Sequence, residues 1–480
     1  MGGRRSRKRL PGPGGSPTMP FMEQSPPVRS WRDVARVYTR PSVVTMLFLG
    51  FSAGLPFMLV FATLSAWLRE VDVSRTAIGF FSWIGITYSI KFIWSPVVDR
   101  LPLPGLTRWL GRRRAWILLG QGGIILGLVG MAFADPQVAL LPVALCALLV
   151  AFSSATQDVA IDAFRIESDV DSFQAALAAT YQMGYRLAIL ASYTGALYMA
   201  ELLDWRSAYL AMAGLMGIGV LTVLLRPEPT TRVDRTTARR EARAMAFIER
   251  NPTLPHWMQQ TGAWLIGAVV CPLTDFFGRF GWFALVILGL VASFRISDIA
   301  MASMANPLYI DLGYSKSTIA NISGAYGLAM TMIGAVVGGA LAARFGIMRP
   351  LLAGAILAGS TNLLFAWMAG QGGATWALVL TISADNLSGG LAGSVFIAWL
   401  SSLTNTAYTA TQYALFSSLM TLPGKFLSGF GGVVVDAVGY PFFFILAAAL
   451  GLPAVLLTIA VMRWQARGPA VDVAGAEQRQ

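Results

Sequence analysis

Eight charged side chains interrupt otherwise apolar runs: Lys91, Asp158, Asp162, Arg186, Arg295, Asp298, Asp385 and Lys425. Four are acids that could carry a proton, and four are bases that could pair with them or hold an anion. Each costs about 2.5 to 3.5 kcal/mol on membrane-insertion scales, so each needs a partner or a polar cavity. The stretch "FSSATQDVAIDAFR", residues 152–165, sets Asp158 and Asp162 one helical turn apart, on one face if it is a helix. Gln157 and the small residues of "SSAT" precede Asp158, and a carboxylate able to take up a proton in a poorly solvated cavity is what proton coupling requires. Asp162, close to Arg165, reads instead as part of a gate. The bland alternative is that these charges only pair to join helices.

Other chemistries find little material. The one histidine, His256, lies in a polar stretch, and Cys146 and Cys271 sit in apolar sequence. HExxH, GxSxG and Walker motifs are absent, so neither an enzyme, a metal site nor a cofactor is expected.

The elements that must carry these charges follow from composition. The 480 residues are 55% hydrophobic and 12% charged, half the charge of an ordinary soluble domain, and the reading is an integral membrane protein. Twelve segments are long enough to cross a bilayer core as helices: 43–68, 77–98, 115–134, 139–162, 174–200, 206–225, 282–305, 318–341, 349–369, 374–400, 408–434 and 440–462. "TGAWLIGAVVCPLTDFFGRFG", residues 261–281, has a short apolar part broken by Pro272 and reads as an interfacial or re-entrant segment.

With twelve spans, nearly all Lys and Arg fall on one side, including Arg4 to Arg9, Arg112 to Arg114 and the linker from Arg226. The other side holds Arg69, Arg75, Arg206 and Lys316. Both termini are therefore expected in the cytoplasm, and the net charge of +12 reflects orientation rather than nucleic acid. The first 21 residues read as a basic tail, with Met19 or Met22 as alternative starts.

The chain also repeats itself. "SRTAIGFFSWIGITYSIKFIWSPVVDR" from Ser74 matches "SKSTIANISGAYGLAMTMIGAVVGGALAARFG" from Ser315. Residues 173–212, ending "DWRSAYLAM", match 408–447, ending "GYPFFFILA". The offsets, about 241 and 235 residues, agree. Six plus six spans about a polar linker resemble the plan of the major facilitator superfamily, in which two pseudo-symmetric six-helix bundles rock about a central site. That resemblance implies an all-α membrane fold with a basic tail at 1–40, bundles at 41–226 and 282–463, a linker at 227–281 and a tail at 464–480. It also places all eight charges on cavity-lining spans, and gives a cytoplasmic latch to Asp99, Arg100, Arg112 and Arg113, joined by Asp162 and Arg165.

"GFSAGLP" from Gly50, "IGFFSWIGITYSIKFIWSPVVDR" from Ile78, "GRRRAWILLGQ" from Gly111, "QDVAIDA" from Gln157 and "GYRLAILAS" from Gly184 together resemble the AmpG family of muropeptide permeases. The second half is similar more loosely, through "DLGYSKSTIA" from Asp311. The resemblance implies proton-driven import of a disaccharide-peptide from cell-wall turnover across a bacterial inner membrane by a monomer. It suggests sugar stacking on Trp83, Tyr88 or Trp94, amide contacts from Gln157, Gln182 and Asn386, and carboxylate contacts from Lys91 or Arg186. Asp298, Arg295, Asp385 and Lys425 complete the expected coupling and substrate set. A transporter of another cargo, such as an acyl-CoA-like molecule, a sugar or a drug, is the alternative.

Overall fold

The computed structural model describes residues 38–168, 174–229, 271–403 and 409–467, and the regular structure within them is helical, with no strand. The helices are α1 (Pro41–Glu70), α2 (Arg75–Ile93), α3 (Arg112–Phe133), α4 (Leu140–Ser168), α5 (Gln174–Leu190, continued by a π turn at Ala191–Gly195 and by Ala196–Leu202), α6 (Trp205–Leu225), α7 (Phe276–Asp311), α8 (Lys316–Ala342), α9 (Met348–Met368), α10 (Thr375–Leu403), α11 (Thr409–Ser428) and α12 (Gly431–Ala466). Nine among the described residues are long and apolar enough to cross a membrane; α5, α10 and α11 occupy the other three expected positions without meeting that measure. Several helices outrun the reading: α4 extends to Ser168 and α10 to Leu403, α7 runs from Phe276 to Asp311 against an expected 282–305, and α12 begins at Gly431 rather than near 440. Of the segment 261–281, residues 261–270 lie outside the described part. The rest is a ten-residue helix, Cys271–Phe280, that turns at Gly281 (φ 55°) into the body of α7.

The sequence repeat is a structural one. Ser74 and Ser315, equivalent in the first alignment, both cap a helix, accepting from the N–H of Ala77 and of Thr318 at 3.2 and 3.1 Å. Both helices then leave α geometry, α2 about two turns on through a 3-10 turn at Ser82–Gly85 and α8 about one turn on through a π turn at Ala320–Tyr326. In the second alignment Asp204, which caps α6 through the Ser207 N–H, corresponds to Gly439, where φ of 81° bends α12 before Pro441. The Ser207 N–H also holds the Asp204 carboxyl below the usual carboxylate range.

We call the end where α1 begins the near end and the end where it finishes the far end. One apolar core, including Leu55, Leu64, Trp67, Tyr193, Tyr209, Met304, Tyr309 and Phe444, is shared by both sets of six helices toward the far end. Toward the near end the core is divided. Met46, Trp116, Ile161 and Phe164 belong to the first six helices, and Phe276, Phe294, Phe396, Trp399 and Phe416 to the second. Because burial of apolar side chains is what joins the helices, a bundle fused at one end and split at the other is closed on its far side.

Glycine sets two of the closest approaches. A Cβ at Gly184 of α5 would fall on the Leu47 carbonyl of α1, and one at Gly432 would fall on the Arg75 carbonyl across the far seam. "GYRLAILAS" from Gly184 and "GKFLSGFGG" from Gly424 are therefore packing stretches in this conformation.

Candidate functional site

A cavity of about 470 Å³ lies between the two sets of helices. Its wall combines Phe57, Phe61 and Phe81 with Ser82, Thr421 and Ser428 and with three charged residues, Arg295, Asp298 and Lys425. The charges occur in a short series. Asp298 lies one turn after Arg295 on α7 and pairs with it at 3.1 Å. Asp385 on α10 accepts from the Thr361 hydroxyl at 3.3 Å and stands close enough to Asp298 and Arg295 to interact with both. On the other half, Lys91 and Asp158 pair across α2 and α4 at 3.5 Å. Lys425 of α11 reaches across to α2, donating to Ser89 Oγ at 3.0 Å. An apolar concavity with a few converging charges is the usual composition of a small-molecule site.

The expected residues divide by position. Tyr88 packs edge-on to Phe57 and offers its face to the Lys425 ammonium, 5.8 Å from the ring centroid. Trp83 and Trp94, expected to stack on sugars, do not line the cavity. The Trp83 indole donates to the Phe426 carbonyl at 2.9 Å and stacks on the Phe426 ring at the α2–α11 seam, while Trp94 donates to Thr156 at 3.1 Å and packs on Phe152. Gln157 is also elsewhere. Fully buried, it accepts from Ser52 Oγ at 3.1 Å and donates to the Ser52 carbonyl at 3.2 Å, and Gln121 completes the network by donating to the same hydroxyl. Its amide therefore ties α1, α3 and α4 together. Asn386 is likewise engaged, accepting from Thr331 at 2.8 Å between α8 and α10. Arg186 is half-buried on α5 and has no ion pair among the described residues.

Near-end charges form a second group. Asp162 and Arg165 pair along α4 at 3.4 Å, and Arg113 pairs with Glu167 at 2.7 Å. Glu228, passed over because it lies in the polar stretch after α6, accepts from the backbone N–H groups of Arg113 and Arg114 at 2.7 and 3.1 Å. A carboxylate on the open N–H groups at the start of α3 also meets the positive end of the helix dipole. Arg112 stands beside this cap. The backbone of Asp99 and Arg100 ends the short helix Ser95–Arg100 that extends α2.

The far-end seam was equally unseen in the sequence, because its partners are hundreds of residues apart. Arg75 donates to Asp311 at 2.9 and 2.6 Å, to Tyr440 at 3.0 Å and to Asp436 at 3.4 Å. Arg69 pairs with the other oxygen of Asp311, and Lys316 reaches Glu70 at 2.7 Å. Farther along, Glu201 accepts from Ser317 Oγ at 2.9 Å, Tyr198 donates to Asn321 at 2.6 Å and Tyr193 to Asn306 at 2.5 Å. The four cations that the sequence reading set apart on the other side, Arg69, Arg75, Arg206 and Lys316, thus include three that bridge the halves. The fourth, Arg206, lies over the Phe133 ring within the first half.

Comparison with known proteins agrees with this architecture. Residues 46–424 match the family model of the Major Facilitator Superfamily. The chain is 32% identical over 426 residues to the anhydromuropeptide permease of Escherichia coli K12, covering 88% of this chain and 80% of that protein. It is 30% identical to the putative transporter AmpG 4 of Rickettsia felis, over 88% and 97% of the two chains. Among solved structures, a POT family transporter in complex with 5-aminolevulinic acid superposes with a TM-score of 0.58 at 15% identity over 91% and 96% of the chains. The nucleoside transporter NupG gives 0.59 at 13% over 88% and 99%. At these identities the superpositions speak to fold alone. From its own helical architecture, the matched family model and the AmpG-named relatives, the chain belongs to the AmpG-like family of transporters within the major facilitator superfamily.

Proposed function

We propose that the protein imports anhydro-muropeptides, N-acetylglucosaminyl-anhydro-N-acetylmuramic acid with or without its peptide, from periplasm to cytoplasm by proton-coupled alternating access. The observation that carries the reading is the charged and aromatic cavity lying beneath a sealed far end. In this reading the near end faces the cytoplasm, as the positive residues require, and the conformation is the one that releases cargo inward. The two rocking units are 41–226 and 282–463, joined by 227–281. The protein works as a monomer in a bacterial inner membrane.

Asp158 is the proton carrier. Its carboxylate is held by Lys91 at 3.5 Å and is otherwise enclosed, so protonation removes the charge that binds α4 to α2 and lets the two helices part. Asp298 and Asp385 with Arg295 form the corresponding acidic group on the second half. When the bundle closes at the near end, Asp99, Arg100, Arg112, Arg113, Asp162 and Arg165 form the latch. Moving a charged glycopeptide inward with a proton adds no bond-making step, so the activity is transport rather than catalysis.

The test is uptake of labelled anhydro-muropeptide into vesicles with and without an imposed proton gradient. Accumulation only with the gradient supports the reading. Absence of uptake in both conditions rejects it, and gradient-driven uptake of an acyl-CoA-like molecule, a sugar or a drug instead would establish the alternative cargo.

A further inference from the structure

Of the four basic side chains set in apolar runs, two have matching acids; Arg186 on α5 has none among the described residues, and of the two left without one, Lys425 lines the cavity. Lys91 has Asp158 at 3.5 Å and Arg295 has Asp298 at 3.1 Å. Lys425 has no carboxylate within ion-pair distance among the described residues. Its ammonium donates to Ser89 Oγ at 3.0 Å and lies 5.8 Å from the Tyr88 ring centroid. The head is held in place, because the Ser89 hydroxyl is itself hydrogen-bonded to Thr421 at 2.8 Å, one turn before Lys425 on α11.

An ammonium has three N–H donors. One meets Ser89, and the face of Tyr88 attracts the charge without accepting a full hydrogen bond. Withdrawing a cation from bulk water without an opposing charge is costly, and a neutral side chain of similar length would bridge α2 and α11 through Ser89 without that cost. The surplus charge therefore points to a missing anion, and the space beside it is the cavity that Lys425 lines together with Ser82, Thr421 and Ser428.

We propose that Lys425 is the docking point for a carboxylate of the transported molecule, so that the cavity selects an anionic cargo and holds its acidic end between α2 and α11. The identification of that carboxylate with one on the muropeptide stem rests on the function proposed above. Because Lys425 belongs to the second half and Ser89 to the first, a carboxylate seated here contacts the seam that must part when the bundle rocks.

The experiment compares the purified full-length chain with Lys425→Gln and Lys425→Arg. Binding of an anhydro-muropeptide with free stem carboxylates, and of its fully amidated form, is measured by calorimetry. The wild type is expected to favour the acid by about tenfold to a hundredfold, the range of one or two charge-assisted contacts. Lys425→Gln is expected to lose that preference and bind both forms alike, and Lys425→Arg to keep most of it. A Lys425→Gln protein that favours the acid as strongly as the wild type overturns the proposal and leaves Lys425 a bridge between helices. If the wild type binds neither glycopeptide, the muropeptide reading fails, and the carboxylate proposal is then decided by thermal stabilisation with N-acetyl-L-alanine against its amide. Greater stabilisation by the acid in the wild type, abolished in Lys425→Gln, sustains it, and equal stabilisation of the wild type by both overturns it.

Discussion

Replacing Asp311 by Asn should release the far end of the bundle. Asp311 accepts from Arg75 at 2.9 and 2.6 Å and from Tyr440 at 2.7 Å, and Arg69 pairs with its second oxygen. Asparagine keeps the shape but removes the charge and turns an amide N–H toward a guanidinium or the phenol. A hydrogen bond to a charged group contributes about 1.5 to 3 kcal/mol. The pair is partly accessible, with Arg75 29% and Asp311 15% exposed, so we take about 1 to 1.5 kcal/mol for each arginine. The total, about 2 to 3 kcal/mol, corresponds to roughly a 30- to 150-fold change in the ratio of far-closed to far-open molecules. A ratio of about 100 to 1 would become nearly even.

Spin labels at Gln137 and Gln371, in far-end turns of the first and second sets of helices, read this directly once Cys146 and Cys271 are replaced by Ser. The expected result is a second, longer distance in Asp311→Asn at an amplitude comparable to the first. A distribution indistinguishable from that of the parent, in a variant with unchanged thermal stability, would refute the reasoning, because the ion cluster would then not hold the seam.

Further outcomes follow from other contacts. Asp158→Asn should abolish gradient-driven uptake while preserving exchange of internal for external cargo, measured in the same vesicles; driven uptake at the wild-type rate would reject Asp158 as proton carrier. Gly432→Ala puts a methyl group on the Arg75 carbonyl, so it should lengthen the far-end label distance even with Asp311 intact. Gln157→Leu strands buried polar groups of Ser52 and Gln121 and should lower the unfolding free energy by about 1 to 3 kcal/mol, seen as a lower melting temperature in detergent; a selective rise in KM at unchanged stability would instead return Gln157 to the substrate. Glu228→Ala uncovers the first N–H groups of α3 and should cost about 1 kcal/mol, read as faster proteolytic cleavage in the stretch after α6.

The membrane helices were legible because the bilayer imposes a length and a composition that can be read residue by residue. The repeat was legible too, as two matching strings, but that Ser74 and Ser315 at their heads both cap helices came from the structure. Charges in apolar runs identified Lys91, Asp158, Arg295, Asp298 and Asp385 as a group because insertion costs make them rare. Aromatic side chains carried no such signal. Nothing in the strings around Trp83 and Trp94 tells whether an indole faces a cavity or a neighbouring helix, and both face helices.

Sequence by itself determined the membrane class and the short set of intramembrane charges, and set the expectation of a six-plus-six plan and its sidedness, all of which depend on local composition and on spacing along one chain. Tertiary structure alone decided which charges meet. It paired Lys91 with Asp158, left Lys425 without an acid among the described residues, drew Gln157 into a buried network and brought Arg75 to Asp311 across the far seam. The physical reason is that pairing energy depends on separation in space, whereas the partners at the seam are 236 residues apart in the chain.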